Sequence, residues 1–255
     1  MNMENFIVPF VDEIKNYALD GYYKDFSIRT KPDGSVVTDI DVLVEKKIIK
    51  LLNKEFPNDS ILGEETGFTK GTKDITWVID PIDGTRAFMS GMLHWGVLLA
   101  LFDGENPIVG VLYQPYTDEL FFGDGVSAGM QHAGHERPLK TASVTDLAAA
   151  TTCTTGTHWL AAEQRAQYAG LAASARLNCT GGDCYLFALV AMGQMHIGLD
   201  GSLNPYDIQA LIPIIRGAGG VITTWDGGNP SMGGNVVASA NATLHAQALE
   251  QLGAN

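Results

Sequence analysis

Four groups of acidic residues occupy places where a carboxylate does not merely face water. Asp41 opens a helical stretch, and Glu64-Glu65 lies between Leu62-Gly63 and Thr66-Gly67. Asp80 and Asp83 flank Pro81-Ile82 directly after the apolar run Trp77-Val78-Ile79, and Asp207 sits in an otherwise apolar helical stretch, residues 208–215. Carboxylates at the ends of apolar strands, beside glycines that admit a close backbone, usually have a partner. Two of them about 4 Å apart repel by about 4 kcal/mol at an effective dielectric of about 20, so a gathering of several needs cations to stay ionised.

The segment Asp80-Pro-Ile-Asp-Gly-Thr85 is the most informative. A strand delivers Asp80, Pro81 predicts a sharp turn, and Asp83 leaves from the same turn. Gly84 and Thr85 can open a short helix through Phe88, whose first amide hydrogens have no partner of their own and attract an anion. Carboxylates and anion-binding amides within one turn suit a phosphate ester held through Mg²⁺, a hard cation that takes oxygen ligands and shares phosphate oxygens. Taken alone, the segment equally fits two aspartates capping a turn.

The elements that must carry these residues follow from apolar spacing. Residues 5–24 repeat at helical intervals (Phe6, Ile7, Phe10, Val11, Ile14, Ala18), residues 26–29 alternate like a short strand, and Lys31-Pro-Asp-Gly34 marks a turn. Thr38-Asp-Ile-Asp41 predicts a helix start, because Thr or Asp accepts the free amides of the first turn, and the helix should run through Val44, Ile48 and Leu52 to Phe56. Strands are expected at 61–62, 77–79, 97–102, 108–113 and 120–122, an antiparallel series. In the second half, strands near 151–155, 176–179, 195–199, 221–225 and 236–239 alternate with helices near 161–173, 183–192, 205–216 and 242–252, which predicts a parallel-type α/β unit. The stretch 123–138 is the expected junction between lobes of about 1–135 and 136–255, with the site in the shared cleft.

Composition narrows the function. The 255 residues are 45% hydrophobic and 18% charged, ordinary for a soluble globular chain. A formal charge of -13 disfavours nucleic acid, whose binders neutralise phosphates with Lys and Arg. No apolar run approaches the roughly 20 residues of a membrane span. Met1-Asn-Met-Glu-Asn-Phe lacks the basic start of a signal peptide, and three cysteines are too few for a disulfide framework, so a cytoplasmic location is expected. The six histidines show no zinc spacing. Gly217-Ala-Gly-Gly220 follows a helix and precedes a strand, the reverse of a dinucleotide loop, and reads as a helix stop.

In combination, Val37-Thr-Asp-Ile-Asp41, Gly63-Glu-Glu65, Trp77-Val-Ile-Asp-Pro-Ile-Asp-Gly-Thr85, and Asn204-Pro-Tyr-Asp207 with Gly217-Ala-Gly-Gly220 resemble the inositol monophosphatase superfamily of metal-dependent, lithium-sensitive phosphomonoesterases. The resemblance implies an αβαβα sandwich, a homodimer, and two or three Mg²⁺ ions, with Mn²⁺ able to substitute. It implies metal ligands at Glu64, Asp80, Asp83 and Asp207 and the Ile82 carbonyl. Asp41 and Thr85 would orient the attacking water, and the Gly84 and Thr85 amides would bind phosphate. Glu65 would support the site or hold a third metal. Water then attacks phosphorus in line with the leaving alcohol.

Within the family, Asp83-Gly-Thr-Arg86-Ala-Phe88 followed by Ser90-Gly91, Gly182-Asp-Cys-Tyr185 and Asn204-Pro-Tyr-Asp207 resemble the histidinol-phosphatase branch. A pair of acids at the leaving-group end, Asp183 and Asp200, suits a cationic alcohol better than a neutral polyol. One such charge pair at about 5 Å is worth roughly 3 kcal/mol at an effective dielectric of about 20, before discounts for solvent and entropy. Asp183 also fits a plain helix cap. Arg86 fits either a phosphate contact or, preferably, a pairing with an acid at a lobe or subunit contact. Lys31 fits a cover over the site or a solvated side chain. Hydrolysis of L-histidinol phosphate is the leading expectation. The alternatives are an inositol-1-monophosphatase or other polyol-phosphate phosphatase, and a metal-dependent binding protein without turnover.

Overall fold

The computed structural model describes residues 4–23, 25–32 and 34–253; Lys24, the expected end of the first helix, and Asp33 of the expected turn lie outside the described residues. The chain begins with α1 (Glu4–Tyr22), a short hairpin of β1 (Ile28–Thr30) and β2 (Val36–Thr38), and α2 (Asp39–Glu55). Then come β3 (Ser60–Gly63), β4 (Gly67–Thr69), β5 (Thr76–Asp83), α3 (Thr85–Met89), β6 (Gly96–Phe102), β7 (Pro107–Gln114), β8 (Glu119–Gly123), β9 (Ala128–His132) and β10 (His135–Pro138). The second half carries β11 (Thr151–Thr154), α4 (Ala162–Ser174), β12 (Leu177–Thr180), α5 (Asp183–Ala191), β13 (Ile197–Leu203), α6 (Pro205–Ile208), α7 (Leu211–Gly217), β14 (Val221–Thr224), β15 (Gly234–Ser239) and α8 (Ala242–Gln251).

Apolar side chains at three- and four-residue spacing give α1 and α2 one buried face each, with Phe10, Ile14 and Ala18 on one and Val44, Ile48 and Leu52 on the other. Both faces pack on an eight-stranded sheet of order β10-β9-β8-β7-β6-β5-β3-β4. The opposite face of that sheet meets α5 and α7, which also cover the five-stranded sheet β12-β11-β13-β15-β14. Helices α4 and α8 close the far side. Five layers result, the αβαβα sandwich implied by the sequence, with the first sheet antiparallel except where β3 pairs parallel with β5. In the second sheet β11 pairs parallel with β12 and β13, and β15 runs antiparallel to both of its neighbours, β13 and β14.

Three expectations need correction. The stretch 123–138 is not a junction: β9 and β10 form a hairpin at the edge of the first sheet, which therefore extends to Pro138. All four residues of β10 are exposed, so no apolar alternation betrays it. The expected helix at 205–216 is two, because Pro213 has no amide hydrogen to give the Gln209 carbonyl and one rung of the ladder is missing. Third, Pro81 makes no sharp turn; β5 passes through it unbroken.

The break between α6 and α7 is also where the helical layer comes closest to the first sheet. A Cβ on Gly110 of β7 would lie 1.8 Å from the Ala210 carbonyl oxygen, so only glycine lets this backbone dock. Gly110→Ala should therefore push α6 and α7 off the sheet and destabilise the fold by about 1–3 kcal/mol, measurable as a lowered denaturation midpoint; an unchanged midpoint would show the docking to be loose.

Candidate metal centre and cleft

Asp80 and Asp83 stand three apart on β5, and in a regular strand they would face opposite sides. They do not, because Asp80 pairs with Leu98 and Asp83 with Gly96, so β5 spends three residues against two of β6. This bulge turns Asp83 onto the face of Asp80. Asp207, in the first turn of α6, approaches from the second half of the chain. One oxygen from each of the three carboxylates lies within 4.8 Å of the others.

Local bonds hold each acid. The Ile82 amide donates to Asp80 Oδ1 at 3.1 Å, the Cys184 amide to Asp83 Oδ2 at 2.6 Å, and the Asn204 amide to Asp207 Oδ2 at 2.6 Å. Asp83 thus occupies the amide end of α5, where the helix dipole favours an anion. Even so, burial and then the charges of Glu64, Asp83 and Asp207 push Asp80 well above the ordinary carboxylate range. Burial, followed by the charges of Asp183 and Asp207, does the same to Asp83. Burial raises Asp207 to about 7, against the Asn204 amide and with the help of Glu64. Among the described residues no lysine or arginine pairs with these three acids. An oxygen-only, crowded and unneutralised donor set of this kind fits a hard divalent cation.

The other expected ligands have partners inside the protein. Lys31 Nζ lies 2.8 Å from Glu64 Oε1 and 2.6 Å from Glu65 Oε1, so it is an ion-paired residue, not a solvated one. Burial opposes its charge, but the two carboxylates outweigh that and raise its pKa. Glu64 stands outside the close trio, although near enough to act on Asp80. The Ile82 carbonyl accepts from Thr85 Oγ1 at 3.1 Å, and Asp41 Oδ1 is an alternative acceptor for the same hydroxyl at 3.2 Å. Asp41 is fully buried, and its second oxygen receives the Thr38 amide and hydroxyl in the capping box that starts α2. Burial raises its pKa despite those bonds.

Gly84 adopts a left-handed conformation at φ 82°, which swings the chain from β5 into α3. A Cβ there would lie 3.0 Å from Asp183 Cγ, so the Gly84-Thr85 turn lies against Asp183. Asp183 is not the cap of α5. Gly182 holds that position, and the Asp183 carboxylate reaches His94 Nδ1 at 2.5 Å. Asp200 on β13 is 5% exposed, and burial raises it to about 7 against the Thr155 hydroxyl and the Gly201 amide. Among the described residues Arg86 pairs with no acid; its Nη1 lies 2.9 Å from His158 Nε2. All of these side chains line one open cleft of about 830 Å³ together with Glu64, Asp83, Thr85 and Asp207.

Three residues escaped the sequence reading. Glu45 is fully buried and accepts the Glu65 and Thr66 amides at 2.9 and 2.8 Å, fixing the turn that presents Glu64. Its signal was available, since it lies four residues after Asp41 on the same face of α2. His94 and His158 carried none, because each meets its partner only through the tertiary fold.

A family model described as "Inositol monophosphatase family" matches residues 3–254. The histidinol-phosphatase of Mycobacterium tuberculosis is 34% identical over 234 residues, spanning 90% of this chain and 89% of that one. The inositol-1-monophosphatase of Caulobacter vibrioides is 32% identical over 244 residues, spanning 91% and 93%. The solved inositol monophosphatase from Zymomonas mobilis superposes with a TM-score of 0.85 at 29% identity, covering 97% of this chain and 96% of that one.

The raised acids make a prediction about pH. Their folded pKa values exceed their unfolded ones, so at intermediate pH the folded state holds protons that the unfolded chain has lost. Their contribution to stability is full below the unfolded value of 3.8 and is lost as pH rises through the folded values, for Asp207 about 7. With a chelator present, the melting temperature should fall between about pH 5 and about pH 8, and Mg²⁺ should restore it most at the alkaline end, where the ligands are deprotonated. Asp207→Asn should flatten the chelated profile. Identical profiles with and without Mg²⁺ would refute a cation site here.

Proposed function

Because the chain belongs to the inositol monophosphatase family and is accordingly a metal-dependent phosphatase, we propose that it hydrolyses L-histidinol phosphate to L-histidinol and phosphate with Mg²⁺. The observation that carries the phosphatase chemistry is the meeting of Asp80, Asp83 and Asp207 within 4.8 Å, the last two in the lining of the cleft. These three, with Glu64 and the Ile82 carbonyl, would hold the magnesium. When bound, it supplies the positive charge that neutralises phosphoryl oxygens and acidifies water.

The chain's own groups do the rest. Thr85 Oγ1 can give its single hydrogen to Asp41 Oδ1, which leaves its lone pairs for a water proton and the Ile82 carbonyl free. The water oxygen bonds to phosphorus as the bond to the leaving alcohol breaks, and the departing alkoxide oxygen takes a proton from solvent water in the open cleft. The water proton passes to Thr85, and the Thr85 proton to Asp41. Asp41 suits this because burial raises its affinity for a proton. The Gly84 and Thr85 amides, at the start of α3, face the phosphate oxygens.

For the substrate, the supporting observation is the placement of Asp183 and Asp200 in the same cleft wall, where a cationic alcohol finds two acids. A cation beside Asp200 would also favour its ionised form. One observation favours the second reading, an inositol or other polyol phosphate: His94 already engages one oxygen of Asp183.

Phosphate release from L-histidinol phosphate and from myo-inositol 1-phosphate decides between them. We expect kcat/KM about tenfold or more higher for the first, from one ion pair discounted for solvent, and a loss of most of that preference in Asp200→Ala. Equal rates on the two esters would overturn the substrate. Asp83→Asn should fold normally and lose nearly all Mg²⁺-dependent turnover; substantial activity would overturn the site.

A further inference from the structure

We infer that His94 is a positioning residue that aims the Asp183 carboxylate across the cleft and thereby sets which leaving alcohol is preferred, an inference that rests on the cationic-substrate reading above. The two residues are 89 apart in sequence and come from separate elements, His94 from the loop between α3 and β6 and Asp183 from the first turn of α5. A carboxylate only accepts, so the 2.5 Å contact places the hydrogen on His94 Nδ1.

Both sides of this contact are built. His94 stands between two anchored neighbours: the buried Gln114 side chain donates to the Leu93 carbonyl at 2.7 Å, and Trp95 is fully buried edge-on against Phe88. The imidazole is therefore presented from a fixed backbone although the side chain itself is partly exposed. Asp183 has φ 42°, a left-handed conformation that non-glycine residues rarely adopt and that persists where surrounding contacts hold it. Its own helix offers no such hold, because Asp83 has taken the Cys184 amide. Gly84 walls off one side of the carboxylate. His94 supplies the bond that fixes its direction, and Asp183 Oδ1 has no hydrogen-bond partner among the described residues. One oxygen tied and one free is how an acid is held ready for a ligand.

The test measures kcat and KM on L-histidinol phosphate and on glycerol 2-phosphate, a neutral leaving alcohol, for the wild type, His94→Ala, Asp183→Asn and the double variant. His94→Ala should lower kcat/KM on the cationic ester about tenfold more than on the neutral one, the scale of one hydrogen bond to a charged group, with the loss in KM. In the Asp183→Asn background His94→Ala should not change the preference further, since it acts through Asp183. His94→Asn, which keeps an amide donor near the Nδ1 position, should recover part of the preference. Equal losses on both esters, or a further shift of preference in the double variant, would overturn the inference. A wild type that prefers the neutral ester would instead overturn the substrate reading; a preference shift by His94→Ala that vanishes without the Asp183 carboxylate would still support the positioning role.

Discussion

Carboxylates repel one another, and more so as water is withdrawn, yet Asp80, Asp83 and Asp207 are gathered with oxygens inside 4.8 Å. Much of the surrounding structure serves to hold them there. The bulge in β5 brings the first two onto one side, the amide end of α5 is offered to Asp83, and the Asn204 cap fixes Asp207. These bonds lower the cost without removing it, since all three acids keep raised pKa values. The residual repulsion is free energy that a divalent cation can release on binding. Metal affinity and the instability of the metal-free fold are therefore two readings of one quantity.

The same economy explains the layers. Asp80 and Asp83 come from the first sheet and Asp207 from the helical layer that also covers the second. The site exists only while α6 and α7 stay docked, which makes Gly110, although no carboxylate itself, part of its support. Around the trio the acids are matched one by one: Lys31 against Glu64 and Glu65, Thr38 against Asp41, His94 against Asp183. The central three have no cationic partner among the described residues, although they lie closest together.

How much was legible beforehand varies by element. The helix starting at Asp39 and the apolar heart of β5 at 77–79 were plain, because capping chemistry and unbroken apolar runs are local signals. The hairpin at β9 and β10 was not, since an exposed edge strand buries nothing and needs no alternation. Pro81 looked like a turn because proline usually interrupts a strand, whereas here it sits in a bulge, one of the places a sheet admits it. A helix cap stayed open as the alternative for Asp183 because nothing local could show that Asp83, a hundred residues away, had taken the amide.

The sequence by itself determined the chemical type of the site, an oxygen-rich place for a hard cation and a phosphate, and a mixed α/β fold around it. Both follow from residue type and short-range spacing, whereas the order of the layers was implied only by resemblance to the family. Only the tertiary structure decided which acids meet closely, that Glu64 is tied to Lys31, that Glu45 braces the turn behind it, and that His94 and His158 face the cleft. Those facts depend on distances between residues tens of positions apart, which are set by how helices and sheets pack and, apart from Glu45's place on the Asp41 face of α2, leave no trace in local pattern.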